Sequence, residues 1–533
     1  IAAVQQTLAQ TWGLDFGRVR SLISHLNSWQ TQDQLVDRHA LSHRGIGQIL
    51  RALEPWLEVD GDRYRLAPQY RDAFSPHFSR QPTPTEASST QPTLLFLEQI
   101  LTQRPAPNLD LDHVAATPET LLKRANFIVE TYDLTGAEIL CLGDHDLTSL
   151  ALASVHSEVA ISVVDVDERL LLFIDQTARQ FGWNIKTYFA DLRLELPSSL
   201  KARFDLIFTD PPYSPTGVKL FLQRGISALK DHPFTRILLA YGFGEQHPGL
   251  GYKVQSVLHE LRLVSEAILP QFNRYNGARA IGAQSALYAL RPTRRSGPAA
   301  ERIANTATIY THGKSAEEST PLSTLAGVRD LTQSWQGGET ILVQESQQQE
   351  TWPQVKKMDL AAYLALSRQE GPPRVRNLAI QLYPHFDPDL IRILLTAQAE
   401  SLLIGIHRSG RKTLADDNSL YQLITCRYRQ IEQKTQQDLT WILFEQRPMS
   451  SANNPLSLLH YIGDHSQARL GNAWREGLIS QSKHQGINLT KNQARKLIRQ
   501  GGLGSRYGNH FLNELPLHLL DELVAEIETT MQF

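Results

Sequence analysis

Cysteine is almost missing from this chain: two occur in 533 residues, Cys141 and Cys426, and neither belongs to a CxxC pair. That excludes a disulfide frame and a zinc knuckle, leaves no metal site to expect, and favours a reducing, cytoplasmic setting. Long apolar runs are missing too. None reaches ~18 residues, so no membrane span is expected. The opening IAAVQQTLAQTWGL lacks a basic region ahead of an apolar core, so no signal peptide is expected either. Neither sign of charge dominates, with 53 Lys and Arg against 55 Asp and Glu. A global attraction to nucleic acid or to an anionic membrane is therefore not expected.

What is present is length, enough for three or four domains at ~100 to 200 residues each. The most informative stretch is AEILCLGDHD at 137–146. A short apolar run meets a glycine and feeds a helix-compatible segment, the pattern of a parallel strand turning into a helix where doubly wound folds bind nucleotides. Such turns are usually glycine-rich so that backbone amides can approach a pyrophosphate. Here only Gly143 remains, followed by Asp144, His145 and Asp146. Two carboxylates suit a cationic ligand better than a phosphate, which points to a sulfonium nucleoside: S-adenosylmethionine or its decarboxylated form.

In chain order, residues 1–76 alternate helical runs and end in two strand-like runs around Asp60, Gly61 and Asp62. Three helices and a hairpin make a winged-helix-like pattern, read here as a packing or dimerisation module more readily than as a DNA reader. Residues 77–93 are rich in Pro, Ser and Thr and read as a linker. Residues 94–292 then repeat strand and helix. A second strand ends at Asp165, and Asp165 or Asp167 is placed to accept hydrogen bonds from ribose hydroxyls. Asp191 follows the third strand, where adenine is usually contacted. At the end of the fourth, Asp210 precedes Pro211, Pro212 and Tyr213, and the prolines fix the backbone that presents it. The expected fold class is α/β: the winged-helix-like domain, a Rossmann-like seven-stranded methyltransferase-type domain, and a C-terminal α/β plus helical region. Residues 293–336 read as a second linker, 337–448 as a second α/β domain in which 419–433 is a long helix, and 449–533 as helices. His385 and Asp387 sit near a strand end of that second domain.

Residues 117–290 resemble the branched-chain polyamine synthase family, also called bis(aminopropyl)spermidine synthase. The resemblance rests on TPET at 117–120, on LCLGDHDLTSLALA, on VVDVDERLL, and on FDLIFTDPPYSPTG followed by FLQRGISALK. With the N-terminal domain it covers roughly residues 1–295. Two departures bear on the choice of amine: GDHD stands where members often show GDDD, and Tyr213 where they carry an acid. The resemblance implies aminopropyl transfer from decarboxylated S-adenosylmethionine, a co-substrate with no permanently bound cofactor, to a polyamine nitrogen. A branched product requires a secondary amine to reach the site. By carry-over, Asp210 is the base or amine anchor, with Tyr213 and His145 beside the acceptor. Asp144 and Asp146 lie beside the aminopropyl end, Asp165 holds the ribose, and Gly143 and Asp191 complete the donor pocket. A polyamine is the expected partner, a homodimer the expected assembly, and nucleic acid is not expected. The alternative is an S-adenosylmethionine-dependent amino-methyltransferase acting on nucleic acid, because Asp-Pro-Pro-Tyr also presents an amino group to a methyl donor beside a stacked base.

Overall fold

Side-chain caps and one tight turn organise the N-terminal residues. The protein is described here by a computed structural model, which covers residues 1–78, 90–108, 111–194, 196–277, 281–302, 335, 339–344, 355–360, 363, 374–382, 390–407, 423–436, 439–448, 455–484 and 486–531. Helices α1 (Ala2–Trp12), α2 (Phe16–His25), α3 (Gln32–His39) and α4 (His43–Leu53) enclose Trp12, Leu22, Ile46 and Ile49. Thr31 and Gln34 form a capping box at α3, and Ser42 caps α4. Strands β1 (Gln30–Thr31), β2 (Leu57–Asp60) and β3 (Arg63–Leu66) pair antiparallel in the order β1-β3-β2. Gly61 takes φ +62° in the hairpin turn, where a Cβ is disfavoured. Four helices, not three, precede the hairpin, and α5 (Arg71–Phe78) packs Phe74 and Phe78 onto the same core.

The linker expected at 77–93 falls mostly outside the described residues, and its last four begin a helix, α6 (Thr90–Gln103). Then come β4 (Ala115–Ala116), α7 (Pro118–Thr131), β5 (Glu138–Leu142), α8 (Thr148–Val155), β6 (Ala160–Asp165), α9 (Glu168–Phe181), β7 (Ile185–Phe189), β8 (Leu206–Thr209), α10 (Pro215–Ala228), β9 (Arg236–Tyr241), α11 (Pro248–Glu260), β10 (Leu263–Asn276), β11 (Gln284–Pro292) and α12 (Ser296–Glu301). The sheet runs β4-β10-β11-β9-β8-β5-β6-β7, with β9 to β7 parallel and β10 and β11 antiparallel. It has eight strands where seven were expected, because the two-residue β4 adds to the edge of β10. Side chains of β5 alternate between the two faces. Ile139 and Cys141 enter one apolar cluster, and Leu140 and Leu142 the other. Helices cover both faces, which is why the parallel strands read as continuous apolar runs. The unit does not end at 292. Helix α12 is held by Gln223 Nε2 donating to Ala300 O (2.8 Å) and Ser296 Oγ to Arg262 O (2.9 Å).

The C-terminal half builds a second sheet from β12 (Thr340–Gln344), β13 (Lys356–Asp359), β14 (Val375–Gln381), β15 (Ala399–His407), β16 (Tyr428–Gln436) and β17 (Leu439–Gln446), in the order β13-β12-β14-β15-β17-β16. The long helix expected over 419–433 is corrected. From Tyr428 the chain is the antiparallel edge strand β16, paired with β17 from Tyr428 opposite Gln446 to Gln436 opposite Leu439. Its mostly polar, exposed residues carry no period-two signal, so only pairing with β17 reveals it. Helices α13 (Leu390–Thr396), α14 (Pro455–Asp464), α15 (Leu470–His484), α16 (Lys491–Gln500), α17 (Gly502–Tyr507) and α18 (Leu517–Thr530) complete this half. The division expected at 449 does not divide the core: Ile380, Ile404, Trp474 and Leu520 belong to one buried cluster. His385 and Asp387 lie outside the described residues. No helix among the described residues is long and apolar enough to cross a membrane.

The two halves, expected to be joined by a linker at 293–336, meet across a largely buried polar seam. Asp175 on α9 accepts from Tyr507 Oη and pairs with Arg179 (2.8 Å), Arg506 (3.4 Å) and His518 (3.4 Å). Ser199 Oγ donates to Glu514 Oε2 (2.7 Å), and Tyr188 stacks on His510 at 4.0 Å. Burial would raise the Asp175 carboxyl, yet the hydrogen bonds from His518 and Tyr507 and the nearby guanidinium groups lower it. Asp175→Ala should therefore cost about 2 to 3 kcal/mol, below the usual loss for breaking a buried pair because Arg179 and Arg506 are partly solvated. Urea unfolding of the full chain measures this, and an unchanged midpoint would show that the seam adds no stability.

Candidate active site

The carboxyl ends of four neighbouring parallel strands open into one cavity of about 360 Å³. Six aspartates line it, namely Asp112, Asp144, Asp146, Asp165, Asp191 and Asp210, and among the described lining residues there is no Lys or Arg. Gly143, His145 and Tyr213 line it as well, so the expected site residues come together here except Asp167, which lies outside the lining.

Local structure explains the presentation of each acid. Gly143 leaves β5 at φ +66°, and a Cβ there would lie 3.3 Å from the Phe221 ring. The turn ends at Leu147, also left-handed at φ 66°, before α8 begins. Asp144 is 2% exposed and accepts from Ser149 N at 3.2 Å. Burial pushes its carboxyl up to about 8 against that hydrogen bond. Asp165 accepts from Val166 N (2.8 Å), Asp167 N (2.9 Å) and Asp144 N (3.1 Å), which fixes its carboxylate across the β5 and β6 turns. Burial still holds its carboxyl above the ordinary range. Asp167 does a different job: it caps α9 and pairs with Arg169 at 2.6 Å, outside the cavity lining. Asp191 accepts from Arg193 N (2.9 Å) and from its guanidinium.

The sequence reading missed the residue that ties the centre together. Arg124 on α7 has a fully buried side chain, and its guanidinium bridges two acids. Nη1 donates to Asp146 Oδ2 at 2.9 Å and Nη2 to Asp210 Oδ2 at 2.7 Å. Nε donates to Asn273 Oδ1 (2.8 Å), Asn273 Nδ2 to Ser285 Oγ (2.9 Å), and Ser285 Oγ lies 2.8 Å from Tyr275 Oη. Tyr275 Oη donates to Asp210 Oδ2 at 2.8 Å, which closes the ring. Tyr213 Oη donates to Asp210 Oδ1 at 3.0 Å. A signal for Arg124 did exist, since it lies four residues from both Thr120 and Ile128 on the inward face of its helix. Tyr275 had none, because β10 itself was not recognised.

One guanidinium facing two carboxylates leaves a surplus negative charge in a dry site. Burial raises both acids, Arg124 pulls Asp146 below the ordinary range, and Asp210, facing the Asp146 charge, is pushed up to about 7. His145 stacks on His113 at 4.1 Å, and burial followed by the His113 charge drops it to about 3, so its imidazole is neutral. Its buried Nε2 has no partner among the described residues. The result is an anionic chamber with a neutral imidazole wall, suited to a ligand of several positive charges.

These carboxyls make folding pH-dependent. The folded forms of Asp210 and Asp144 titrate at about 7 and about 8, above the ~4 of an unfolded aspartate, so their stability contribution is complete below ~4 and is lost as pH rises through those values. The melting temperature of the ligand-free protein should therefore fall as pH rises through about 7 and about 8, and Asp144→Asn should flatten the upper part of that fall. Superimposable profiles for the two proteins would rule Asp144 out as the source.

Comparison with known proteins follows the same residues. Residues 95–345 match the family model described as the branched-chain polyamine synthase A C-terminal domain. The chain is 35% identical over 189 residues to an N(4)-bis(aminopropyl)spermidine synthase of Methanocaldococcus jannaschii, covering 35% of this chain and 53% of that protein. It is likewise 35% identical over 182 residues to the enzyme of that name from Thermococcus kodakarensis, covering 33% and 51%. An uncharacterised protein of M. jannaschii is 40% identical over 193 residues, covering 35% and 48%. The chain thus spans about half the length of these curated relatives. Among solved structures, the Thermus thermophilus branched-chain polyamine synthase in complex with N4-aminopropylspermidine and 5'-methylthioadenosine aligns at 22% identity and a TM-score of 0.37, over 60% of this chain and 97% of that one. Residues 95–345 are thus similar to the branched-chain polyamine synthase family.

Proposed function

We propose that the chain is an aminopropyltransferase that moves an aminopropyl group from decarboxylated S-adenosylmethionine to a polyamine nitrogen. The observation that carries this reading is the cavity lined by six aspartates with no Lys or Arg among the described lining residues. A donor with a sulfonium and a free ammonium, together with a polyamine, supplies the positive charge that such a chamber needs. A phosphate-bearing cofactor, or the extra carboxylate of S-adenosylmethionine, meets like charge instead.

In this reading Asp165 and Asp191, at the ends of β6 and β7, hold the nucleoside, with Gly143 allowing its close approach. Asp144 and Asp146 flank the aminopropyl end. Asp210 meets the acceptor, with Tyr213 and His145 beside it. The acceptor nitrogen, once deprotonated, attacks the carbon next to sulfur. The new N–C bond forms as the C–S pair moves onto sulfur, and neutral methylthioadenosine leaves. The proton shed by the acceptor nitrogen goes to Asp210, whose pKa of about 7 suits a base working near neutrality. Arg124 and Tyr275 orient Asp210, and the neutral imidazole of His145 adds no repulsion toward a cation. A secondary nitrogen reaching Asp210 gives a branched product. The sheet order supports a methyltransferase-type frame for this chemistry, and residues 1–78 a winged-helix-like module. The methyltransferase alternative gains no separate support, because Tyr213 is tethered by its hydroxyl to Asp210 and its ring lies 5.4 Å from Tyr241.

Incubation with decarboxylated S-adenosylmethionine and spermidine should release methylthioadenosine, while S-adenosylmethionine should give little turnover. Release of S-adenosylhomocysteine with a methylated product would overturn the reading. Asp210→Asn should lower turnover ~100-fold to ~10,000-fold, the usual span for loss of a general base. Wild-type activity should fall as pH drops below about 7, where Asp210 takes up its proton. Undiminished turnover in Asp210→Asn would remove that residue from the mechanism.

A further inference from the structure

The half of the chain beyond residue 345 lies outside the family match, yet it grips the two turns that carry Asp165 and Asp191. Glu168 opens α9 three residues after Asp165. Its carboxylate accepts from Arg392 Nη2 on α13 and from Leu517 N at 2.9 Å. The Arg392 guanidinium also lies 3.3 Å from the ring centroid of Phe189, the last residue of β7 and two positions before Asp191. Leu515 O anchors it from the C-terminal side, accepting from Nη2 at 2.8 Å. On the far side of Asp191, Leu194 is 4% exposed and packs within the C-terminal apolar cluster rather than with its own sheet. One arginine, 4% exposed at its side chain, therefore touches both turns from behind. It does not line the cavity.

We propose that the C-terminal half is a built-in positioning module for the donor pocket, with Arg392 as its positioning residue. A guanidinium suits this place because it can face the Glu168 carboxylate and lie over the Phe189 ring at once. Hydrogen bonds to backbone amides fix the local geometry of Asp165, and the β6–β7 ladder, which runs to Asp165 opposite Phe189 with Ala190 N donating to Asp165 O at 3.2 Å, fixes the spacing of the two strand ends but not the start of α9 or the segment from Asp191 to Leu194 beyond them. Arg392 braces the ladder from behind, tying the helix that follows Asp165 to the strand end that precedes Asp191, and so steadies the span between the two acids that the nucleoside must match. A displacement of ~1 Å at such a site is enough to matter for binding and rate. The inference rests on the reading that Asp165 and Asp191 hold the nucleoside.

The test uses the full chain and methylthioadenosine as the probe, with binding measured by calorimetry beside steady-state kinetics. Arg392→Met should weaken methylthioadenosine and raise the donor KM by ~10-fold or more, with kcat at saturation within ~2-fold of wild type. Arg392→Lys should recover part of the loss, since it keeps the charge without the planar fork. A folded Arg392→Met protein with a lower melting temperature but wild-type affinity would reduce the contact to stability and overturn the proposal. Should Arg392→Met fail to fold, Glu168→Gln gives the same readout, because it removes only the charge: weakened affinity supports the proposal and unchanged affinity overturns it. A wild-type chain that does not bind methylthioadenosine at all would instead overturn the functional reading, and the proposal with it.

Discussion

The fully buried guanidinium of Arg124, divided between Asp146 and Asp210, is the constraint on which the rest of the site depends. It joins helix α7, the turn after β5 and the end of β8, and through Asn273 and Tyr275 it reaches β10. Two carboxylates brought together without a cation would repel in a medium that screens poorly, and one cation cannot neutralise both. The surplus charge is then available either to a proton or to a cationic ligand. A site left slightly too negative when empty is one that a polycation completes, and binding and proton loss become linked steps.

The same economy of charge runs through the walls. His145 and His113 face each other as stacked rings, so a proton on one disfavours a proton on the other, and the neutral form prevails in the buried position. Three arginines near the cavity are held by acceptors outside its open space: Arg193 by Asp191, Arg169 by Asp167, and Arg224 by the Leu192 carbonyl. Positive charge is thus kept behind the lining rather than in it. The C-terminal half extends this arrangement, since Arg392 approaches the turns that carry Asp165 and Asp191 without lining the cavity.

Much of the first half was legible because its signals are local. The parallel strands, the turn at Gly143 and the rigid Pro211 and Pro212 are short-range features of sequence. Asp165 and Asp167 could not be told apart by spacing, and the structure separates them by partner, since one faces the cavity and the other holds Arg169. Strand β10 was hidden by its register shifts and by a mostly exposed alternation, and β16 by its polar edge character. Where a residue's role depends on a partner far along the chain, spacing is silent. Asp146 lies 22 residues from Arg124, Asp210 lies 86 residues away, and Glu168 is 224 residues from Arg392.

By itself the sequence determined which acids stand at the strand ends, because alternation, glycine and proline act within a few residues and leave the carboxyl ends of parallel strands on one side of a sheet. It also determined the sign of the charge in the turn after β5, where acids stand in place of the usual glycines. Only the tertiary structure decided which of those acids has its carboxyl raised by burial, which accepts from tyrosines, and which lie beside residues gripped by the other half of the chain. Those outcomes turn on desolvation and on the distance to a single opposite charge, and both exist only once the chain has folded.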